Sequence, residues 1–253
     1  MAASDTLVTF ELFRVPAARV PAAIARMASD RVRLRRTPGA RFVKLLGTGD
    51  GETFDLRDVD ARTWAVLVVW DHPLAATAYA RRSPVAGGWR ALAEEAWRAE
   101  LRPLASRGRW SGVEPFGGPA SGGWRGPVAA ITRARLSWPR MLRFWRAVQP
   151  VSADLRHVDG LRLSVGIGEA PVGLQGTFSI WDDAVALTDF AYRRSAHRTV
   201  VEATPLEGWY REELFARFAV ERSSGTIFGS NPLAGIDAHP PGQSPGQVSR
   251  RSS

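Results

Sequence analysis

Two stretches of this 253-residue sequence decide the fold. The first is Trp64-Ala-Val-Leu-Val-Val-Trp70-Asp71, an apolar run typical of a β-strand that is covered on both sides. The second is Gly176-Thr-Phe-Ser-Ile-Trp181-Asp182, which ends in the same Trp-Asp pair. Each stretch is followed by residues with a helical composition. We therefore interpret the chain as an internal duplication.

Three further matches follow in the same order in both halves. They pair Arg81-Arg82-Ser83 with Arg193-Arg194-Ser195, Trp97–Glu100 with Trp209–Glu212, and Gly108–Phe116 with Gly225–Leu233. With the β-rich openings and glycine-punctuated strands upstream, the predicted order in each half is β-α-β-β-α-β, the ferredoxin-like pattern. Asp71 and Asp182 are predicted to be the N-caps of the helices that follow them.

The duplication predicts an α+β fold in which tandem ferredoxin-like repeats form a pseudo-dimer within one chain. Each repeat leaves one apolar sheet face bare, and two such faces can cover each other in a dimeric α/β-barrel arrangement. We assign residues 1–117 to the first repeat, 118–126 to a Gly- and Pro-rich linker, 127–235 to the second repeat and 236–253 to a disordered tail. Neither half alone is expected to fold stably, because each would expose an apolar face.

The composition excludes several classes of protein. Cysteine is absent, so disulfides, iron–sulfur clusters ligated by cysteine, thiolate-ligated haem and cysteine nucleophiles are excluded. No apolar run approaches the length of a bilayer span, and Met1–Asp5 does not begin a secretory signal, so we expect a cytoplasmic protein. The formal net charge of +9 allows peripheral contact with an acidic membrane surface. No nucleic-acid recognition motif occurs, and we expect no nucleic-acid partner.

His197 is the most informative of the four histidines. At the corresponding position the first half has Val85, so the duplication is broken there. A structural role inherited from the duplication would persist in both halves, whereas a metal ligand is needed only once. His197 is therefore either an ordinary helix-end histidine or a ligand of haem iron or another transition metal. The other three are interpreted as surface, loop and tail residues: His72, His157 and His239.

A few basic residues are further candidates for binding. Lys44, the single lysine, lies in an apolar strand. It is either a solvated amine or a fixed cation that faces a carboxylate, a haem propionate or a polar substrate group. Arg193 and Arg194 are either solvated charges at a helix end or counter-charges for propionates near His197. The glycine-rich segments 47–51 and 166–169 lack the pattern of a phosphate-binding loop and are interpreted as turns.

Several motifs resemble one known family. They are Arg102–Phe116, Gly166–Pro171, Thr177–Asp182 and Glu212–Phe218, with Phe42–Leu45 and Gly47–Gly49 in the first half. Together they resemble the spheroidene monooxygenase family, the carotenoid 2-ketolases of phototrophic bacteria. The similarity covers roughly residues 7–235.

The resemblance implies a haem-dependent monooxygenase that takes electrons from a ferredoxin-type donor, activates O₂ and oxidises an apolar substrate such as a carotenoid. It places His197 as the axial ligand of haem b, with Arg193, Arg194 and Lys44 near the propionates or the distal side. One alternative keeps the haem but changes the reaction to one like that of aldoxime dehydratase or a peroxidase, because a fold does not determine chemistry. Another is a non-catalytic carrier of an apolar ligand.

Overall fold

The computed structural model describes residues 6–49, 59–117, 123–136, 158–169, 176–193 and 210–236. The first half contains strands β1 (Leu7–Arg14), β2 (Ala40–Gly49), β3 (Val59–Trp70) and β4 (Glu95–Gly108). A 3₁₀ turn (Ala17–Arg19) and helix α1 (Val20–Arg35) join β1 to β2. Helices α2 (Pro73–Arg82) and α3 (Pro84–Leu92) join β3 to β4.

The second half contains β5 (Val128–Leu136), β6 (Leu161–Gly168), β7 (Gly176–Trp181) and β8 (Tyr210–Gly225). Helix α4 (Ala184–Arg193) follows β7. The helix predicted between β5 and β6, most of the linker and nearly all of the tail lie outside the described residues. The glycine-rich segments interpreted as turns belong largely to strands, since β2 extends to Gly49 and β6 to Gly168.

The eight strands form one closed antiparallel barrel in the order β1-β3-β2-β6-β7-β5-β8-β4. The first four strands are therefore ordered β4-β1-β3-β2, and the last four repeat this order as β8-β5-β7-β6. The two sheets join where β2 pairs with β6, around Gly47 and Gly168, and where β4 pairs with β8. The barrel expected from the sequence is confirmed at this level.

The barrel interior is a packed apolar core. All eight strands contribute alternate side chains to it, among them Leu12, Leu67, Ile131 and Phe218. The rings of Phe10 and Phe178, from opposite sheets, stack with centroids 3.7 Å apart. An eight-stranded barrel has an interior that side chains can fill completely, and this one is filled in that way.

An equivalent turn follows the last strand of each half, β4 and β8. Gly108 and Gly225 both have positive φ, and a Cβ at either position would lie within 2.1 Å of a backbone oxygen, that of Glu213 or Ala96. Only glycine fits such an approach. Each turn continues into an isolated bridge, Trp110 with Val113 and Ile227 with Ser230.

These turns correct one of the sequence matches. The carboxylate of Glu212 accepts hydrogen bonds from the backbone N–H groups of Ser111 and Gly112. The carboxylate of Glu95 does the same for Phe228 and Gly229. The counterpart of Glu212 is therefore Glu95, whereas the sequence match had aligned it with Glu100.

The predicted N-caps are also displaced by one residue. The side chain of His72 caps α2, and that of Asp183 caps α4. The preceding residues, Asp71 and Asp182, complete the strands instead, because their N–H groups donate to the carbonyls of Gly39 and Gly160.

Candidate functional site

The outer faces of the two sheets carry side chains of very different size. In the first sheet, Val43 pairs with Val68 and Leu45 with Val66. At the same register positions in the second sheet, Ser164 pairs with Ser179 and Gly166 with Thr177. We call these four residues of the second sheet, Ser164, Gly166, Thr177 and Ser179, the small-residue face.

The large side chains of the first sheet are covered by its helices. Val66 and Val68 are fully buried, and they belong to one cluster with Met27 of α1 and Trp89 of α3. The ring of Trp89 also lies 6.0 Å from that of Trp64. This layer is a complete apolar core between the sheet and its helices.

Helix α4 covers one edge of the small-residue face. The ring of Phe190 packs 5.2 Å from that of Trp181, and the indole N–H of Trp181 donates to the Ser179 hydroxyl at 2.9 Å. The description of helix α4 stops at Arg193, so the helix-end position expected for Arg193 and Arg194 stays a prediction. The side chain of Arg193, all of Arg194 and His197 lie outside the described residues.

The small-residue face is suited to a broad, flat apolar group. Its four residues, on adjacent strands, occupy less volume than the Val and Leu residues at the matching positions of the first sheet. A haem macrocycle has this shape, and a chain without cysteine would have to ligate its iron through another side chain, such as an imidazole. Within the described ranges, no group of three or more His, Asp or Glu residues has metal-site geometry.

A second group of polar residues occupies one end of the barrel interior. Lys44 donates to Glu169 at 2.7 Å and to the Ser111 hydroxyl at 2.6 Å. Its ammonium also lies over the rings of Phe42 and Trp110. Its side chain is 11% exposed. Lys44 therefore faces a carboxylate, one of the partners expected for it.

Arg133 is the centre of this group. Its guanidinium donates to Glu212 at 2.8 Å and to Glu169 at 3.1 Å, and it lies over the Trp110 ring. The indole N–H of Trp110 donates to the same Glu169 at 2.6 Å. The Arg133 side chain is only 4% exposed. We call Lys44, Trp110, Arg133, Glu169 and Glu212 the charged cluster.

The cluster keeps its carboxylates ionised. Burial raises the pKa of Glu169, but hydrogen bonds from Lys44 and Trp110 and the nearby positive charges outweigh it, so the pKa lies below its usual 4.5. Burial also raises the pKa of Glu212, but the hydrogen bonds from Gly112, Ser111 and Arg133 outweigh this effect, so its pKa also lies below the usual value. Burial lowers the pKa of Lys44 from its usual 10.5, which the contact with Glu169 only partly offsets.

The opposite end of the barrel has no such cluster at the matching positions. Leu12 pairs with Ala65 where Arg133 pairs with Gly176, and Val165 pairs with Phe178 where Lys44 pairs with Leu67. The remaining counterparts are Thr48 for Glu169 and Ile227 for Trp110. Of the cluster's acids, only Glu212 has an acidic counterpart, Glu95.

Comparisons with known proteins identify the family. No family model matches the chain. Spheroidene monooxygenase of Rhodobacter capsulatus is 36% identical over 217 residues, which cover 85% of this chain and 90% of that protein. The enzyme of the same name from Rubrivivax gelatinosus is 36% identical over 86% of this chain and 82% of its own length. This chain belongs to the spheroidene monooxygenase family. It is accordingly an oxidoreductase of the monooxygenase class.

Comparison with a solved structure supports the fold of this family member independently of its sequence relatives. Aldoxime dehydratase in complex with butyraldoxime is 12% identical and has a TM-score of 0.53, with 85% of this chain and 79% of that chain covered. At this identity the likeness concerns the fold alone. In the described part of the family member, no helix is both long and apolar enough to cross a membrane.

Sequence reasoning named Lys44 and missed the other four residues of the charged cluster: Trp110, Arg133, Glu169 and Glu212. A signal for Arg133 was present, because Ala129, Ile131 and Arg133 alternate along β5 and must share its inner face. Of the histidines, only His72 lies in the described residues, where it is an exposed helix cap as expected for a surface residue. His157, His197 and His239 lie outside them.

Proposed function

We propose that this protein is a haem-dependent monooxygenase that oxidises a carotenoid or a similar apolar chain. Its membership of the spheroidene monooxygenase family supports a carotenoid substrate. Haem b would lie against the small-residue face, with His197 as the axial ligand of its iron. A ferredoxin-type donor would supply the electrons.

Val85 is the observation that carries the placement of His197. It is the sequence counterpart of His197, and in the first half it lies in α3, 4% exposed, packed in the layer against the outer face of the sheet. We infer that the two halves are tandem ferredoxin-like repeats, supported by their equal strand order and matching turns. A repeat of the α3 arrangement would point His197 at the small-residue face.

The neighbouring basic residues have distinct roles in this proposal. Arg193, the last described residue of α4, and Arg194, which follows it in the sequence, would meet the two propionates. Lys44 lies on the inner side of β2 and is engaged with Glu169. It would therefore act on the propionate side only through the charged cluster.

The substrate would bind outside the barrel, because apolar side chains fill the interior. The small-residue face and the inner surface of its helices would exclude water and orient the chain, leaving a C–H bond beside the cofactor. Haem would supply the activation of O₂. The overall step consumes the C–H substrate, O₂, two electrons and two protons, and forms an alcohol and water. A second oxidation at the same carbon, followed by loss of water, would give a ketone.

The apolar character of the proposed substrate also indicates where the enzyme would meet it. A long apolar chain partitions into membranes, so the enzyme must collect it from a bilayer. We propose peripheral contact with an acidic membrane surface, supported by the net charge of +9.

Turnover under ¹⁸O₂ tests this function. Protein purified from haem-supplemented cells is supplied with a ferredoxin, its reductase, NADPH and an acyclic carotenoid. We expect reductant-dependent product that carries ¹⁸O in the hydroxyl, measured with short incubations because a ketone exchanges with water. Turnover without reductant and without label would instead favour chemistry like that of aldoxime dehydratase or a peroxidase.

A further inference from the structure

Three residues of the charged cluster belong to the same sheet as the small-residue face but lie on its inner side. Arg133 is on β5, Glu169 follows directly after β6, and Glu212 is on β8. Strand β7 lies between β5 and β6 in the sheet. The contact from Arg133 to Glu169 therefore spans β7 on the inner side of the barrel, and the contact to Glu212 ties β5 to β8.

Gly176 makes this span feasible. It begins β7 and pairs with Arg133 on one side and Ile167 on the other. A Cβ at position 176 would lie 2.4 Å from the carbonyl oxygen of Thr132 and 3.0 Å from the Cα of Arg133. Glycine thus allows β7 to begin in close contact with β5, at the residue whose side chain extends across β7 to Glu169.

At the matching positions the first sheet has the uncharged residues Leu12 and Thr48, which form no equivalent of this span. Its strands are held from outside by Val66, Val68 and Leu45, which pack against helices. At the matching positions the small-residue face has short side chains, so Val and Leu cannot supply the same packing there. Buried charges that occur in only one of two matching halves indicate a role beyond stability, because apolar residues at such positions are often equally stable.

We propose that Arg133 is a positioning residue, which braces β5, β6 and β8 from inside the barrel and so sets the shape of the small-residue face. This inference rests on the proposed function for what the face binds. Arginine suits the task because its planar fork can bind two carboxylates at once, whereas a lysine ammonium offers one point charge. The Trp110 ring beneath the guanidinium fixes its plane.

The two halves provide the test variant. Lys44→Val, Trp110→Ile, Arg133→Leu and Glu169→Thr together give the charged end the residues of the opposite end, and we call this the exchanged variant. Glu212 is kept, as Glu95 is kept at the other end. Arg133→Lys is a milder second variant. Glu95→Gln is the matched control, because Glu95 accepts the same kind of backbone hydrogen bonds as Glu212 but lies on β4, which is not adjacent to β6 or β7.

Three measurements are compared with the wild type: haemin titration followed in the Soret region, kcat and KM for the carotenoid, and amide hydrogen exchange. In the exchanged variant we expect unchanged or higher thermal stability, haemin affinity and kcat lowered roughly 10- to 100-fold, and faster exchange in β5, β6 and β7. Arg133→Lys is expected to show the same changes at smaller size, with kcat affected more than KM. Glu95→Gln is expected to leave kcat and haemin affinity unchanged.

The proposal is overturned if the exchanged variant folds and has the haemin affinity, kcat and amide hydrogen-exchange rates of the wild type. If the exchanged variant does not fold, wild-type behaviour of Arg133→Lys overturns it equally. If the wild type itself neither binds haemin nor turns over, the proposed function fails. The exchange rates of β5–β7 in Arg133→Lys then decide by themselves whether Arg133 holds the sheet.

Discussion

The first sheet carries Val66, Val68 and Leu45 on its outer face, whereas the second sheet carries Thr177, Ser179 and Gly166 at the same register positions. Burial of a Val or Leu side chain contributes about 1.5–3 kcal/mol, so the second sheet has forgone a substantial stabilisation. Both sheets have the same strand order and close the same barrel. The strand order therefore does not require the difference, and the proposed haem would account for it.

The two ends of the barrel differ in the complementary way. The end of the barrel next to the Ile227 turn has the uncharged residues Leu12, Val165 and Thr48. At the end next to the Trp110 turn, the matching positions hold Arg133, Lys44 and Glu169. The charges therefore lie where β6 ends and β7 begins, in the sheet that carries the small-residue face. The comparison teaches that one strand order can carry large apolar side chains on the outer face of one sheet and short side chains at the matching positions of the other.

Filling the small-residue face should have the largest effect. Gly166→Leu with Thr177→Val gives the second sheet the residues of the first, Leu45 and Val66. Because the added side chains occupy the proposed haem surface, we expect haemin affinity to fall roughly 100-fold, about 2.7 kcal/mol, with carotenoid turnover lost. Haemin titration and product analysis measure both.

The reverse exchange in the first sheet is the control for that experiment. Val66→Thr buries a hydroxyl in a closed apolar layer and should lower the free energy of unfolding by about 1–3 kcal/mol, without changing haemin affinity. The comparison of the two faces is refuted if the filled second face binds haemin as the wild type does.

The next largest effect is a difference in unfolding free energy between variants of Glu95 and Glu212, the two glutamates whose carboxylates accept backbone hydrogen bonds from a turn. Glu95→Gln weakens hydrogen bonds to Phe228 and Gly229 and should cost about 1 kcal/mol of unfolding free energy. Glu212→Gln weakens the same kind of hydrogen bonds and also removes a carboxylate from the buried Arg133, so we expect about 3 kcal/mol. Urea unfolding curves of the two variants measure the difference. Equal costs would show that the Arg133 contact contributes nothing to the second half.

The smallest expected effect is a pH dependence that is specific to the charged end. The folded-state pKa values of Glu169 and Glu212 lie below the usual 4.5, so in acid the unfolded chain binds more protons than the folded one. Their stabilisation is complete above pH 4.5 and is lost as the pH falls through the lower folded-state values. Unfolding free energies measured from pH 6 to pH 3 should fall less steeply in Glu212→Gln than in the wild type. Parallel slopes would contradict the assignment.

Local signals in the sequence were sufficient to predict the barrel. The repeated Trp-Asp strand ends, at Trp70-Asp71 and Trp181-Asp182, marked the equivalent strands β3 and β7, and the two Gly turns marked the ends of β4 and β8. Alternation of apolar residues then gave the faces. The N-caps were displaced by one residue, because a strand-end Asp and a capping Asp have the same sequence context until the backbone hydrogen bonds are known.

The charged cluster depends instead on register between strands that are distant in sequence. Lys44, Arg133 and Glu169 meet because β2 pairs with β6 around Gly47 and Gly168, a pairing that no local pattern specifies. Glu169 in particular follows glycines that suggest a turn, although the strand continues to Gly168. The contrast between the small-residue face and its counterpart also required the ladder registers, since Ser and Thr in a strand are otherwise unremarkable.

The Soret spectrum of His197→Ala tests the central claim most directly. Wild-type protein, His197→Ala and the capping-residue control His72→Ala are each titrated with haemin under the same conditions. The account predicts a saturable Soret band in the wild type and in His72→Ala, and a lost or strongly shifted band in His197→Ala. An unchanged Soret band and unchanged haemin affinity in His197→Ala would contradict the assignment of the second half as the haem-binding half through this histidine.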